Sequence, residues 1–189
     1  MSTTLIEQVA AAHTRAAHRT QDGPTGADER WTIVLERTYD HPREEVWDCW
    51  TEPNRLARWL GRVDRRPAVG ESVRMVMAPE VQHDVELLDC AEPESLTVRW
   101  GGFGEGESRV RVTFSAVDGG PRVRLEHSGL PAGSAWSYGA GWGEVMHLAA
   151  LAAADPAYDV AQSDGLERAG REDGLQHYWD DLVPTGRAG

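Results

Sequence analysis

The chain is expected to fold as an α+β domain, an antiparallel sheet with its helices gathered on one face. Three observations predict this. Residues 108–117 (SRVRVTFSAV) and 121–128 (PRVRLEHS) alternate with period two on either side of the turn DGG. Val110, Val112, Phe114, Val123 and Leu125 fall on one face, opposite Arg109, Arg111, Arg122 and Arg124. That is the pattern of antiparallel strands wet on one side, joined by a turn tolerant of positive φ. Two short helical stretches, each opened by a proline, follow the first strand, and the longest helical segment comes last.

Taken in order, residues 3–19 carry Leu5, Ile6, Val9, Ala12 and Ala16 at helical spacing, so a single helix is expected there, capped by Thr3 or Thr4. QDGPTGADE, 21–29, reads as a turn-rich linker. The main domain is expected over 31–156, preceded by an N-terminal helix and linker (1–30) and followed by a C-terminal extension (157–189). WTIVLERTY, 31–39, reads as its first strand. DHPREEVWDCW then opens a helix, with Asp40 or His41 at the cap, Pro42 in the first turn, and Glu44 and Glu45 at the positive end of the dipole. TEPNRLARWLG repeats the device with Thr51 as cap and Gly61 as stop.

RVDR, 62–65, is a weak strand candidate; 72–77, 82–89 and 96–100 are better ones. The last helix is expected over 134–155, capped by Ser134 and ended before Pro156. Its polar residues are few, so most of its circumference should be covered. In the extension, Leu175, Tyr178, Trp179 and Leu182 stand at i, i+3, i+4 and i+7. This short amphipathic helix is expected to dock on its own domain, with a partner contact or a lid as alternatives.

Composition narrows the function. The chain has 189 residues, 40% hydrophobic and 26% charged, with a net charge of −12. That charge repels nucleic-acid phosphates and anionic membranes, so neither partner is expected. No apolar run reaches the ~20 residues of a membrane span, and the N-terminus does not read as a secretory signal. A cytoplasmic location is expected, with Cys49 and Cys90 as buried thiols.

Four pieces, ERTYDHPREEVWDCWTEPNRLARWL (36–60), VELLDCAEPESLTVRW (85–100), RVTFSAVDGGPRVRLEHSGL (111–130) and GAGWGEVMHLAAL (139–151), stand in the order of a known family. With them the chain resembles the START-like (SRPBCC, Bet v 1-like) superfamily. Within it, the chain resembles the bacterial family named after the C-terminal domain of the activator of the heat-shock-protein-ninety ATPase. The resemblance covers about residues 31–154. It implies a helix-grip fold: a curved antiparallel sheet wraps the long C-terminal helix, and two short helices close one end. It also implies an apolar cavity between sheet and helix. The family's name comes from a eukaryotic co-chaperone and is not carried over as a function.

Parity turns Met75, Met77, Val98, Trp100, Val112 and Phe114 toward the helix, as filled core or as cavity wall, which parity does not separate. Arg37, His83, Ser108 and His127 share that face; a few polar groups in an apolar cleft suit a ligand site, or they form a satisfied structural network. On the long helix, Gly139 and Gly143 lie one turn apart near Trp142 and Met146, leaving room for a ligand or for close helix–sheet packing. Trp47, Trp50 and Trp59 read as anchors of the two short helices, with Trp50 expected at the cavity mouth. The expected ligand-facing set is therefore Arg37, Trp50, Met75, Met77, Val98, Trp100, Val112, Phe114, His127, Gly139, Trp142, Gly143 and Met146.

Glu144 and His147 have the Glu-x-x-His spacing of carboxylate metal sites, but the second copy such sites need is missing. No nucleotide loop, nucleophile elbow or dinucleotide fingerprint occurs. No metal, cofactor or catalytic residue is expected. The function expected is non-catalytic binding of a hydrophobic small molecule. Superfamily relatives in antibiotic and polyketide pathways make sequestration, self-resistance or biosynthesis the setting. One alternative is an aromatase/cyclase-type enzyme using Arg37, His127 and Tyr138. The other is a co-chaperone-like interaction module with an exposed apolar patch around Trp179 or residues 44–61.

Overall fold

The computed structural model describes residues 4–19, 29–101, 106–162, 174–180 and 182–183. The chain runs α1 (Leu5–Ala11), β1 (Thr14–Arg19), β2 (Arg30–Thr38), α2 (Arg43–Thr51), α3 (Pro53–Leu56), β3 (Ser72–Ala78), β4 (Val81–Ala91), β5 (Ser95–Trp100), β6 (Ser108–Val117), β7 (Gly120–Pro131) and α4 (Ala132–Ala154), followed by two single 3₁₀ turns at Val160–Gln162 and His177–Trp179. The strands form one antiparallel sheet in the order β1-β2-β7-β6-β5-β4-β3. With the 23-residue α4 held against its inner face and α2–α3 at one end, this is the helix-grip α+β fold.

Alternation decides the two faces of the sheet. Val110, Val112, Phe114, Val123 and Leu125 are buried. Their neighbours Arg109, Arg111 and Arg122 face water, and Arg124 pairs with Glu36 and Glu126 on the outer face. The DGG turn requires glycine at Gly120, whose φ is +117°; a Cβ there would run into the Tyr39 carbonyl.

The N-terminal segment corrects the expectation of one helix over 3–19. A capping box between Thr4 and Glu7 starts α1, which ends at Ala11. Residues 14–19 then pair with β2, from Thr14 opposite Glu36 to Arg19 opposite Trp31. Alanines at 10–12, 16 and 17 favour a helix locally. Pairing wins because it covers the backbone groups that β2 would otherwise leave at a sheet edge. Ala12 and Ala16, expected on a buried face, are exposed, and His13 is buried instead.

Caps shift as well. Pro42, Glu52 and Pro131 occupy the N-cap positions of α2, α3 and α4. Thr51 closes α2 by donating to the Trp47 carbonyl, and Ser134 donates to the Pro131 carbonyl from inside α4. RVDR contributes a single bridge, Arg62 with Val76. In the C-terminal segment, Leu175, Trp179 and Val183 are buried against the core. The turn-rich stretch 21–28 and the polar stretch 163–173 lie outside the described residues. Among the described residues no helix is long and apolar enough to cross a membrane.

Candidate functional site

Helix α4 packs chiefly on β2 and also touches β7, which leaves the inner face of β3–β6 to other groups. There the chain encloses an apolar cavity of about 100 Å³ that opens to solvent. Its sheet wall consists of Val73 and Met75 (β3), Val85, Leu87 and Cys90 (β4), Leu96, Val98 and Trp100 (β5), and Val110 and Val112 (β6). Trp50 and Thr51 of α2, Leu56 of α3, and Leu60, Val63, Arg66 and Pro67 from the connection to β3 close it; Trp142 is the contribution of α4.

The wall is aromatic and aliphatic, with polarity confined to a few groups. Thr51 has its hydroxyl committed to Trp47. Arg66 lies on the solvent side, paired with Glu92 at 2.7 Å and Glu52 at 3.5 Å, its guanidinium 5.7 Å from the Trp47 ring. Cys90 is a half-buried free thiol. Trp100 and Trp142 lean together with centroids 5.0 Å apart, and Trp50 rests on Trp59 at 4.8 Å. Trp59 in turn donates its indole N–H to the Cys49 carbonyl. Trp47 and Trp59 are thus packing anchors, and Trp50 is the member of the trio on the cavity.

Of the thirteen expected ligand-facing residues, Trp50, Met75, Val98, Trp100, Val112 and Trp142 line this cavity. The other seven do not. The register irregularity between Val76 and Ala78 takes Met77 out of the alternation, and it packs by Gly61. Phe114 lies edge-on to Trp47 and Trp50 in the core. Met146 is buried, its carbonyl accepting from Tyr39 Oη at 3.2 Å. The space beside Gly139 is taken by the Trp179 ring, and that beside Gly143 by Leu175 and Leu35. The small-residue notch of α4 therefore receives the chain's own C-terminal segment. Arg37 lies on β2, with its guanidinium 5.8 Å from the Tyr39 ring.

His127 is fully buried and fully committed. Trp142 Nε1–H donates to His127 Nδ1 at 3.0 Å, and His127 Nε2–H donates to Ser108 Oγ at 2.9 Å. Ser108 then donates to the Trp100 carbonyl at 3.1 Å. An indole N–H only donates, so Nδ1 must accept and Nε2 must carry the proton. Burial pushes the ring's pKa down to about 3, which keeps this neutral tautomer in place. His127 is a positioning residue: it links Trp142 to Trp100, and both face the cavity. The trio Arg37, His127 and Tyr138 is not on the cavity wall, although Tyr138 lies edge-on to His127 at 4.7 Å. Burial raises Cys49 to about 11, leaving an inert thiol. No group of three or more His, Cys, Asp or Glu side chains among the described residues is placed to hold a metal ion.

Twelve lining residues lie outside the expected set. Parity turns Val73, Val85, Leu87, Leu96 and Val110 inward but does not tell core from cavity wall. Thr51, Leu56, Leu60, Val63, Arg66 and Pro67 come from α2–α3 and the aperiodic connection after it, where no alternation assigns a face. Cys90 turns inward because the β4–β5 register shifts between Leu87 and Asp89; strict parity from Leu87 points it outward.

The family model described as "Activator of Hsp90 ATPase homolog 1-like protein" matches residues 40–154. The chain belongs to this family. The match runs from the start of α2 to the end of α4 and so holds the whole cavity. Solved structures extend the likeness. CalU16 from Micromonospora echinospora is 23% identical, with a TM-score of 0.71 over 90% of this chain and 98% of that one. MLL2253 from Mesorhizobium loti is 26% identical, with a TM-score of 0.59 over 64% of this chain and 95% of that one. DynU16, described as a protein in the dynemicin biosynthetic locus, is 24% identical, with a TM-score of 0.60 over 64% of this chain and 46% of that one. No curated protein matches the chain. This helix-grip family has a ligand-binding fold, of the START-like (SRPBCC, Bet v 1-like) superfamily.

Proposed function

We propose that this chain binds a hydrophobic small molecule by taking one ring, or a short apolar arm, into the cavity beneath β3–β6. The observation that carries the reading is the wall itself: Trp50, Trp100 and Trp142 with aliphatic side chains, around space open to solvent. Ligand sites are concave, mostly apolar and carry few polar groups. A volume of about 100 Å³ is smaller than the ~300–1,000 Å³ of sites that engulf a drug-sized ligand. A larger molecule would therefore insert one edge and lie with the rest along Arg66 and Pro67. The role is non-catalytic holding, as in sequestration, self-resistance or biosynthesis of a natural product; the likeness to a protein of the dynemicin locus supports that setting.

Titration with indole or naphthalene, followed by the side-chain N–H shifts of Trp50, Trp100 and Trp142, tests it. Saturable shifts are expected in the native chain, and their loss is expected in Val98→Phe, which fills the cavity. Shifts that grow linearly without saturating in the native chain would refute the reading.

A further inference from the structure

Arg37 lies at the end of the sheet away from the cavity, on β2 beside the edge strand β1. Continuing the register one pair beyond Thr14–Glu36 sets His13 opposite Arg37, while Arg15 lies opposite Leu35 on the same inner face. The guanidinium of Arg15 is 5.1 Å from the Tyr178 ring, and its Nη1 donates to the Ala10 carbonyl. His13 Nδ1–H donates to the Val9 carbonyl at 2.7 Å. His13 also feels the charges of Arg15, Arg37 and His147. Two nitrogens in this group, Arg37 Nη1 and His13 Nε2, are buried without a hydrogen-bond partner.

Among the described residues neither arginine has a carboxylate partner; each half-buried guanidinium packs on a tyrosine, and Arg15 adds the neutral Ala10 carbonyl. That is a costly arrangement in a chain with 31 acidic against 19 basic side chains, because buried polar nitrogens are normally satisfied and burial of an unpaired charge is unfavourable. An oxyanion would satisfy both orphaned nitrogens and neutralise the arginines. We propose that His13, Arg15 and Arg37 form a second binding site, for a small oxyanion of the carboxylate or phosphate class, separate from the apolar cavity. None of the three lines that cavity. On α4, His147 by this cluster and Trp142 in the cavity are five residues apart, about 140° round the helix.

Proton uptake accompanies binding. Burial holds His13 down at about 4, so its Nε2 is bare near neutrality and must be protonated to donate to an anion. The groups acting on it are the Val9 carbonyl from α1, Arg15 from β1, Arg37 from β2 and His147 from α4; Tyr178 lies by Arg15 and Tyr39 by Arg37. If the anion restores an ordinary histidine pKa of about 6.5, affinity rises about ten-fold from pH 7.5 to pH 5.5.

Sulfate and formate, whose charges are constant over that range, are the probes, read by side-chain nitrogen shifts of His13, Arg15 and Arg37 in the full chain. Saturable shifts at those residues, about ten-fold tighter at pH 5.5, are expected. Arg37→Gln should weaken binding ten-fold or more and Arg37→Lys less. His13→Gln should bind with no pH dependence. Preference for sulfate assigns the phosphate class, and preference for formate the carboxylate class. Absence of saturation at pH 5.5 overturns the proposal. So does equal affinity in Arg37→Gln and Arg37→Lys. Indole binding measured in the same variants reports on the cavity separately.

Discussion

His127 is where a polar residue on an apolar face became a structural link. Its two ring nitrogens are both used, one by Trp142 and one by Ser108. Removing the ring in His127→Ala leaves a buried indole N–H and a buried hydroxyl short of a partner, next to a new void. A loss of roughly 2–4 kcal/mol in urea unfolding at pH 7 is expected. His127→Gln, whose amide both accepts and donates, should recover much of it. Because Trp142 and Trp100 face the cavity, His127→Ala should also weaken indole binding several-fold, while a histidine serving packing alone would leave that affinity unchanged.

At the scale of elements, the C-terminal segment and α4 are fitted to each other. A Cβ on Gly139 would overlap the Trp179 ring, whereas nothing within 4 Å would meet one on Gly133. Gly139→Ala gains up to ~1 kcal/mol of helix propensity, yet it is expected to destabilise the chain by expelling Trp179. Trp179→Ala alone should cost about 3–5 kcal/mol through the void it leaves. The double variant should be more stable than the sum of the two singles, since the clash needs both partners. Hydrogen exchange over residues 174–183, fast in Gly139→Ala, is the direct check. The interaction-module alternative fares poorly at this scale. Trp179 and the tryptophans of 44–61 are buried, and the large hydrophobics exposed among the described residues are Leu5 (42%) on α1, Val69 (58%) in the turn before β3 and Leu151 (38%) on α4.

At the scale of the whole molecule, burial pushes down three histidines among the described residues: His13 to about 4, His127 to about 3, and His83 in the same direction. Both values lie below the unfolded value near 6.5. Between the folded and unfolded pKa values the unfolded chain binds more protons, so stability rises with pH there. The contribution is complete above about pH 6.5 and is lost as pH falls toward 4 for His13 and 3 for His127. Each site removes up to about 1.4 kcal/mol per pH unit within its window. Urea unfolding at pH 7 and pH 5 should show the fall, and His127→Gln should make it distinctly smaller, with His13 and His83 supplying the rest. An unchanged fall in that variant would place the proton uptake elsewhere.

The strands of this chain were legible because a sheet with one wet face writes period two into its residues: Val110, Val112 and Phe114 against Arg109 and Arg111 needed no neighbour to assign. The two short helices and α4 were legible from proline and glycine punctuation and from apolar content. The sequence by itself therefore determined the α+β layout and the buried face of the regular strands, and its family resemblance implied the helix-grip architecture. Only the tertiary structure decided which part of that face is hollow. α4 settles on β2 and β7, so Leu35 and Leu125 become core, while Val98 and Val112, of identical local pattern, become cavity wall. The same packing turned residues 14–19 into a strand, filled the Gly139 notch with Trp179, and moved Arg37 away from the cavity. Local pattern records which side of a strand is apolar; what covers that side depends on segments far away in the chain, and no period carries that information.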